Sequence, residues 1–273
     1  DLRRALERGE FKVYYQPIVS LANGTVTEVE ALIRWEHPSK RLVPPAEFIP
    51  AAEQTGLIVP IGQWVLEEAC RQTMMWQERY PRTPHEQPLG VSVNLSARQF
   101  QHPQLIDEIA QVIKAIGLAP RHLKLEITES IGIEDVNSAS ATLWKLKDLG
   151  LHLALDDFGT GYSALSYLKN FPFDTLKLDR AFVDGLGIDP EDTAIVHAAI
   201  AFAKALGLSV TAEGIETRDQ IVELRKLGCD HGQGYYFAKP MSSSAIEVLL
   251  ANPPWIRQNG SKAPIPALQV AAS

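Results

Sequence analysis

The spacing of hydrophobic residues changes several times along the chain, and each change marks an element. Phe11 to Val19 (FKVYYQPIV) and Thr25 to Trp35 (TVTEVEALIRW) are rich in β-branched and aromatic residues, and the turn signal Leu21-Ala22-Asn23-Gly24 separates them. Two strands joined as a hairpin are predicted. Pro44, Pro45 and Pro50 break up a long connection, which ends in a short amphipathic piece around Glu47 to Thr55. From Pro60 the period becomes helical: Trp64, Val65, Ala69, Met74 and Met75 recur up to Trp76 and predict one helix face against the core. Beyond a loop at Pro81 to Pro88, apolar runs begin at Leu89, Leu123, Leu151, Thr175, Ser209 and Gly232, the last continuing to Phe237. Helical patterns fall between them, near Pro103 to Ile116, Asn137 to Leu149, Ser163 to Lys169, Asp192 to Leu206 and Arg218 to Lys226, and Ser242 to Leu250 closes the series. Gly117, Gly150, Gly207 and Gly228 are the expected helix stops.

Eight strands alternating with helices predict a TIM-type (β/α)8 barrel. The opening hairpin modifies it, because one of its strands must run antiparallel to its neighbours. A doubly wound sheet would carry a Gly-rich fingerprint after its first strand, and this chain has none. Residues 1–252 read as one domain, cut from a longer protein because the start lacks a Met and a helix cap. The segment 253–273, with Pro253, Pro254, Pro264 and Pro266, reads as an extended or disordered tail.

Composition narrows the function classes. The chain has 273 residues and a net charge of −7 without a basic cluster, which argues against a nucleic-acid polymer as partner. A small phosphorylated ligand remains compatible if a divalent cation screens the acids. Cys70 and Cys229 lack metal-ligand or disulfide spacing and fit a reducing cytoplasm. The most apolar long segment, Thr193 to Val210, is interrupted by His197, Lys204 and Gly207, so no membrane contact is expected of this domain.

Polar residues gather late in the apolar runs: Glu30 and Arg34, Asn94, Glu126 and Glu129, Asp156 and Asp157, Lys177 and Asp179, Glu213, Gln233. In a barrel those ends converge on one mouth. Charges inside a strand such as Leu123-Lys124-Leu125-Glu126-Ile127 imply ion pairs or bound ions. Oxygen donors with one amide and no His or Cys cluster point to Mg²⁺ or Mn²⁺, and two ions would suit so many acids. Asp156 is the candidate bridging ligand, Lys177 a charge-balancing or water-orienting group, and Glu213 a proton acceptor. Asp156 and Asp157 point to opposite faces on a regular strand, so they serve one site only if the strand ends between or just after them, where Gly159 and Gly161 supply a turn.

Taken in order, Tyr15-Gln16-Pro17-Ile18, Glu30-Ala31-Leu32-Ile33-Arg34-Trp35, Asn94-Leu95-Ser96, Glu126-Ile127-Thr128-Glu129, Asp156-Asp157-Phe158-Gly159-Thr160-Gly161, Lys177-Leu178-Asp179, Ala212-Glu213-Gly214-Ile215-Glu216 and Gln233-Gly234-Tyr235 resemble the EAL domain family of cyclic di-GMP phosphodiesterases. The resemblance runs from about residue 2 to 250. It implies that Glu30, Asn94, Glu126 and Asp156 hold one metal ion and that Asp156 and Asp157 reach a second. It further implies Glu213 as general base, Lys177 beside the water or the carboxylates, and Glu30 among the catalytic residues. Gln16, Leu32, Arg34, Asp179 and Gln233 resemble substrate contacts, Glu129 an anchor for the loop from Asp157 to Gly161, and Glu53 an acid behind the metal ligands. The implied activity is hydrolysis of cyclic di-GMP to 5'-pGpG with Mg²⁺ or Mn²⁺ and inhibition by Ca²⁺. A homodimer and an upstream regulatory or GGDEF-type domain come with the same resemblance.

Two rivals remain at this stage. A non-catalytic cyclic di-GMP receptor shares the fold but usually loses metal ligands or the Asp-Asp-Phe-Gly loop, which this chain keeps. An enolase-type lyase would also use carboxylates and a lysine. Elsewhere plainer roles apply: Glu216 and Thr217 read as the start of the helix at Arg218, and His152, His197 and His231 stand singly.

Overall fold

The structure, a computed structural model, describes residues 1–39, 41–83, 86–129, 136–159 and 171–255. Among these residues the strands are β1 (Phe11–Ser20), β2 (Val26–His37), β3 (Arg41–Val43), β4 (Gly90–Leu95), β5 (Leu123–Thr128), β6 (His152–Phe158), β7 (Thr175–Leu178), β8 (Ser209–Ala212) and β9 (His231–Gly232). All but β3 close into a ring in the order β1-β9-β8-β7-β6-β5-β4-β2, with β2 paired back to β1. Around the ring every neighbouring pair is parallel except those of β1, which is antiparallel to both β2 and β9. The modified (β/α)8 barrel expected from the sequence is thus formed, with β1 as its reversed strand.

Alternation along the strands divides the residues between two environments. Val29, Ala31, Val91, Val93, Leu123, Leu125, Leu153, Leu155, Leu176 and Val210 join the main hydrophobic core, which continues into the surrounding helices. Their polar alternates point inward, as contacts between strands that are not neighbours require. Lys124 on β5 donates to both carboxylate oxygens of Glu28 on β2 at 2.7 Å, and Ser92 on β4 lies 3.3 Å from the same carboxylate. The charge inside the Leu123-to-Ile127 run is therefore paired, in a layer below the one that carries Glu30 and Glu126. Lys124 and the other polar strand residues explain why this barrel interior is not the usual branched apolar stack.

Helix Ile58–Arg79 buries Ile61, Val65, Leu66, Ala69, Cys70 and Trp76 at helical spacing. Met75, expected on that buried face, is instead 48% exposed, because it lies one position off the stripe. A smaller core of Ala5, Phe11, Trp35, Val43, Phe48, Ala52, Ile58 and Ile61 gathers where β1 begins beside the end of β2. Helices Leu105–Ile116 and Arg218–Leu227 stop at Gly117 and Gly228 in the left-handed region, as expected.

The structure departs from the sequence expectations in a few places. The proline-rich connection contains β3, which pairs with β2 through Trp35↔Val43. A short helix, Ala97–Phe100, capped by Ser96 through a capping box with Gln99, precedes the helix expected from about Pro103, which itself forms as Leu105–Ile116. The last strand is only His231–Gly232 rather than running to Phe237, because Phe237 N donates back to Gly234 O at 3.1 Å and Tyr236 N to Ile215 O at 2.9 Å. The helix predicted near residues 163–169 lies outside the described residues, as does most of the tail. Of that tail, Trp255 donates from its indole N–H to Gly24 O at 2.7 Å and packs edge-on against Phe237.

Gly234 permits the turn after β9. A Cβ there would lie 2.1–2.2 Å from the backbone O and N of Ile215, and backbone cannot yield as a flexible side chain can. Gly234→Ala is expected to cost about 3 kcal/mol, a fall in Tm of about 6–12 °C for a domain of this size. Thermal melting checks it, and an unchanged Tm would mean that the loop relaxes freely.

Candidate active site

Strand register brings the site together. Glu30 on β2 stands opposite Gln16 on β1, Asn94 on β4 beside Glu126 on β5, and Asp156 on β6 beside Thr128. Lys177 on β7 reaches into this group, and Glu213 follows β8 with its backbone N–H bonded to Leu178 O at 3.0 Å. The Lys177 Nζ lies 2.6 Å from Glu126 Oε2, 2.6 Å from Glu213 Oε1 and 3.0 Å from Asp156 Oδ1. Glu30 is held differently, accepting from Asn94 Nδ2 at 2.7 Å and from Gln233 Nε2 at 2.5 Å.

One ammonium therefore faces three carboxylates directly, with Glu30 as a fourth nearby. Burial works against the Lys177 charge, but Glu126, Glu213, Glu30 and Asp156 outweigh it and hold the ammonium well above its ordinary range. Burial, reinforced by its acidic neighbours against the pull of Lys177, pushes Glu126 well up. The same causes raise Glu213 to about 7. For Glu30 burial is outweighed by Lys177 and by the hydrogen bonds from Gln233 and Asn94, so it stays low.

These residues fit a hard divalent cation by their donor chemistry. Among the described residues no group of three His, Cys, Asp or Glu already stands in ligating geometry, since Lys177 Nζ draws three of the carboxylates to itself. Yet Glu126 Oε1 is fully buried without a hydrogen-bond partner among the described residues. Four acids against one ammonium also leave an excess of negative charge that added cations would balance.

Asp156 and Asp157 reach the mouth by a route that differs from the expected strand end. β6 continues to Phe158, but Leu155 pairs with Leu176 and Phe158 with Leu178, so two residues of β6 oppose the single Lys177. This is a β-bulge. Asp157 takes φ 54°, the one positive value outside glycine among the described residues, and αL is a conformation that Asp tolerates better than most. Burial and then the charges of Asp156 and Asp179 raise its carboxyl above the usual range.

The other candidate residues divide. Gln16, Leu32 and Gln233 line a cleft of ≈ 240 Å³ together with Glu30, Asp156, Lys177 and Glu213. Arg34, half-buried two residues beyond Leu32, lies 5.7 Å over the Tyr14 ring and donates to Ile33 O. Asp179 caps helix Arg180–Asp184 by accepting from Ala181 N at 2.8 Å. Glu129 is half-buried after β5, while residues 160 and 161 of the loop assigned to it lie outside the described residues. Glu53 sits on helix Pro45–Thr55, where its backbone carbonyl accepts from Arg98 Nη1 at 2.8 Å.

Sequence reasoning missed Arg180 and Tyr235, which also line the cleft. Tyr235 is 52% exposed although it falls within the predicted last strand, and only that strand's early end could have revealed it. Glu216 was expected to start the helix at Arg218. Thr217 does so, through a capping box with Gln220, and Glu216 Oε1 instead pairs with Arg180 Nη2 at 2.8 Å across the cleft wall.

A family model described as EAL domain matches residues 1–240. The bifunctional diguanylate cyclase/cyclic di-GMP phosphodiesterase MucR of Pseudomonas aeruginosa is 45% identical over 246 residues, which cover 90% of this chain and 35% of MucR. The cyclic di-GMP phosphodiesterase PdeR of Escherichia coli is 40% identical over 247 residues, 90% of this chain and 36% of PdeR. This chain thus spans about a third of the length of these curated relatives. Among solved structures, the PaMucR phosphodiesterase in its c-di-GMP complex superposes with a TM-score of 0.84 at 45% identity, over 90% of this chain and 98% of that one. The EAL enzyme Bd1971 in its cAMP and cyclic-di-GMP bound form gives 0.87 at 36% identity, over 91% and 67%.

Proposed function

Because the chain belongs to the EAL domain family, we propose that it is a cyclic-guanylate-specific phosphodiesterase that hydrolyses cyclic di-GMP to linear 5'-pGpG. The observation that carries this most directly is the convergence of Glu30, Glu126, Asp156 and Glu213 with Lys177 at one end of the barrel. Two Mg²⁺ or Mn²⁺ ions, held by Glu30, Asn94, Glu126, Asp156 and Asp157, would supply activation of a water and charge neutralisation at the phosphate when bound. Glu213, at the edge of the cluster and lining the cleft, takes the proton from the attacking water. Lys177 restrains Glu126, Asp156 and Glu213 and offsets charge as negative substrate enters. Arg34 meets a substrate phosphate, and Leu32 and Asp179 seat the rest. Ca²⁺ suits the same carboxylates but with looser coordination, so inhibition is expected from a misplaced water.

The reading extends to a cytoplasmic domain that works as a homodimer beside a regulatory or GGDEF-type domain in a longer protein. The much greater length of the relatives and the bifunctional name of MucR support the second domain. Among the described residues no helix is long and apolar enough to cross a membrane.

Incubation with cyclic di-GMP and Mn²⁺ followed by chromatography is the direct test. Linear pGpG should accumulate with Mn²⁺ and fail to appear with a chelator. Tight binding of the dinucleotide without any pGpG would instead make the domain a receptor.

A further inference from the structure

We propose that Gln16 is a positioning residue for Glu30, acting through Gln233, rather than a contact for substrate. The two residues stand opposite each other in the β1–β2 register, yet Gln16 does not bond Glu30 directly. Its Nε2 donates to Ala238 O at 2.9 Å, and its Oε1 accepts from Gln233 Nε2 at 3.0 Å. The same Gln233 nitrogen donates to Glu30 Oε2 at 2.5 Å. Gln16 and Gln233 are 8% and 4% exposed, so both ends of the Gln16 amide are engaged inside the protein.

The chain of bonds has a direction. A backbone carbonyl accepts only, so Ala238 O requires the Gln16 amide to present nitrogen to it. That turns the Gln16 oxygen towards Gln233, which must answer with its own nitrogen. The Gln233 nitrogen is thereby placed between two oxygens, and a flipped amide would set oxygen against both. With Asn94 Nδ2 on Oε1, each carboxylate oxygen of Glu30 is then held by an amide.

The fold makes this support necessary. β9 ends at Gly232; beyond it the Gln233 carbonyl still accepts from Ile215 N at 3.0 Å, but backbone bonds do not fix which way the Gln233 amide faces. Its backbone is held to Ala212 O at 2.8 Å, and the far end of its loop is clamped to β1 by Tyr15 N to Met241 O at 2.7 Å and Met241 N to Tyr15 O at 2.9 Å. Gln16, on the same reversed strand, supplies the side-chain link between these two attachments.

The enzymatic arm of the test rests on the phosphodiesterase reading; the metal arm does not. Gln16→Met keeps length and removes both hydrogen bonds, and Gln16→Asn keeps the amide but is one methylene too short to span them. Mn²⁺ affinity, measured by electron paramagnetic resonance titration without substrate, should weaken by about 10-fold in both variants. At saturating Mn²⁺ the KM for cyclic di-GMP should stay within about twofold of wild type. A tenfold rise in KM with Mn²⁺ affinity unchanged would make Gln16 a substrate contact and overturn the proposal, as would two variants indistinguishable from wild type. Should Gln16→Met fail to fold, Gln16→Asn decides alone. If no variant, wild type included, cleaves cyclic di-GMP while wild type binds Mn²⁺, the phosphodiesterase reading fails and the metal titration still judges Gln16.

Discussion

Glu213→Gln should lower kcat on cyclic di-GMP by about 10³-fold, the range expected for loss of a general base, while the protein remains folded. The variant keeps size and shape but cannot hold a proton taken from water. Folding survives because Lys177 retains Glu126 at 2.6 Å and Asp156 at 3.0 Å, and because burial already disfavours the Glu213 charge. KM should change little, since the residue acts on the water rather than the nucleotide. Steady-state kinetics at fixed Mn²⁺ decide it. Wild-type turnover by the purified variant would remove Glu213 from the chemistry.

Lys177→Met should produce the largest loss of stability. It takes the ammonium from a cluster whose three contacting carboxylates have no other cation within ion-pair distance among the described residues. Breaking a buried pair in this way costs about 3–5 kcal/mol, a fall in Tm of roughly 10 °C for a domain of this size. Protonation relieves part of that cost, which gives the loss a pH dependence. A carboxyl whose pKa is raised on folding binds its proton more readily in the folded state, so stability falls as pH rises through the interval between its two pKa values. For Glu213 that interval runs from 4.5 to about 7 already in the wild-type protein, and without Lys177 it should widen. The variant should therefore melt closest to wild type in mild acid and fall further behind above neutrality, with Mn²⁺ restoring it more than it stabilises wild type. Melting curves across pH, with and without Mn²⁺, measure this. An equal Tm at every pH would show that Lys177 is not the counter-charge.

Much of this was legible in the sequence because barrel strands have a strict period of two. Once Glu30, Glu126 and Lys177 were placed late in apolar runs, their convergence followed from the ring. The same periodicity could have revealed Glu28 and Lys124, each two residues before a site acid, as the layer beneath. What stayed hidden depended on backbone that periodicity does not describe. Gly234 turns the chain away two residues after β9 ends, which exposes Tyr235 on the cleft and leaves Gln233 to be oriented by side chains. Arg180, at the start of its helix, meets Glu216 in the loop after β8, a contact no local pattern encodes. Asp179 could be read only as a site residue, although its carboxylate also caps the next helix.

The bulge in β6 has a consequence for how such a site is gained or lost. Pairing with β7 needs one residue fewer than β6 provides between Leu155 and Phe158. The second aspartate is therefore written into chain length as well as side-chain identity. Deleting a single codon there would restore regular pairing with β7, with Phe158 still opposite Leu178. A lineage could shed the paired acids in one genetic step without passing through an unfolded intermediate, and could regain them only by an insertion at that same point.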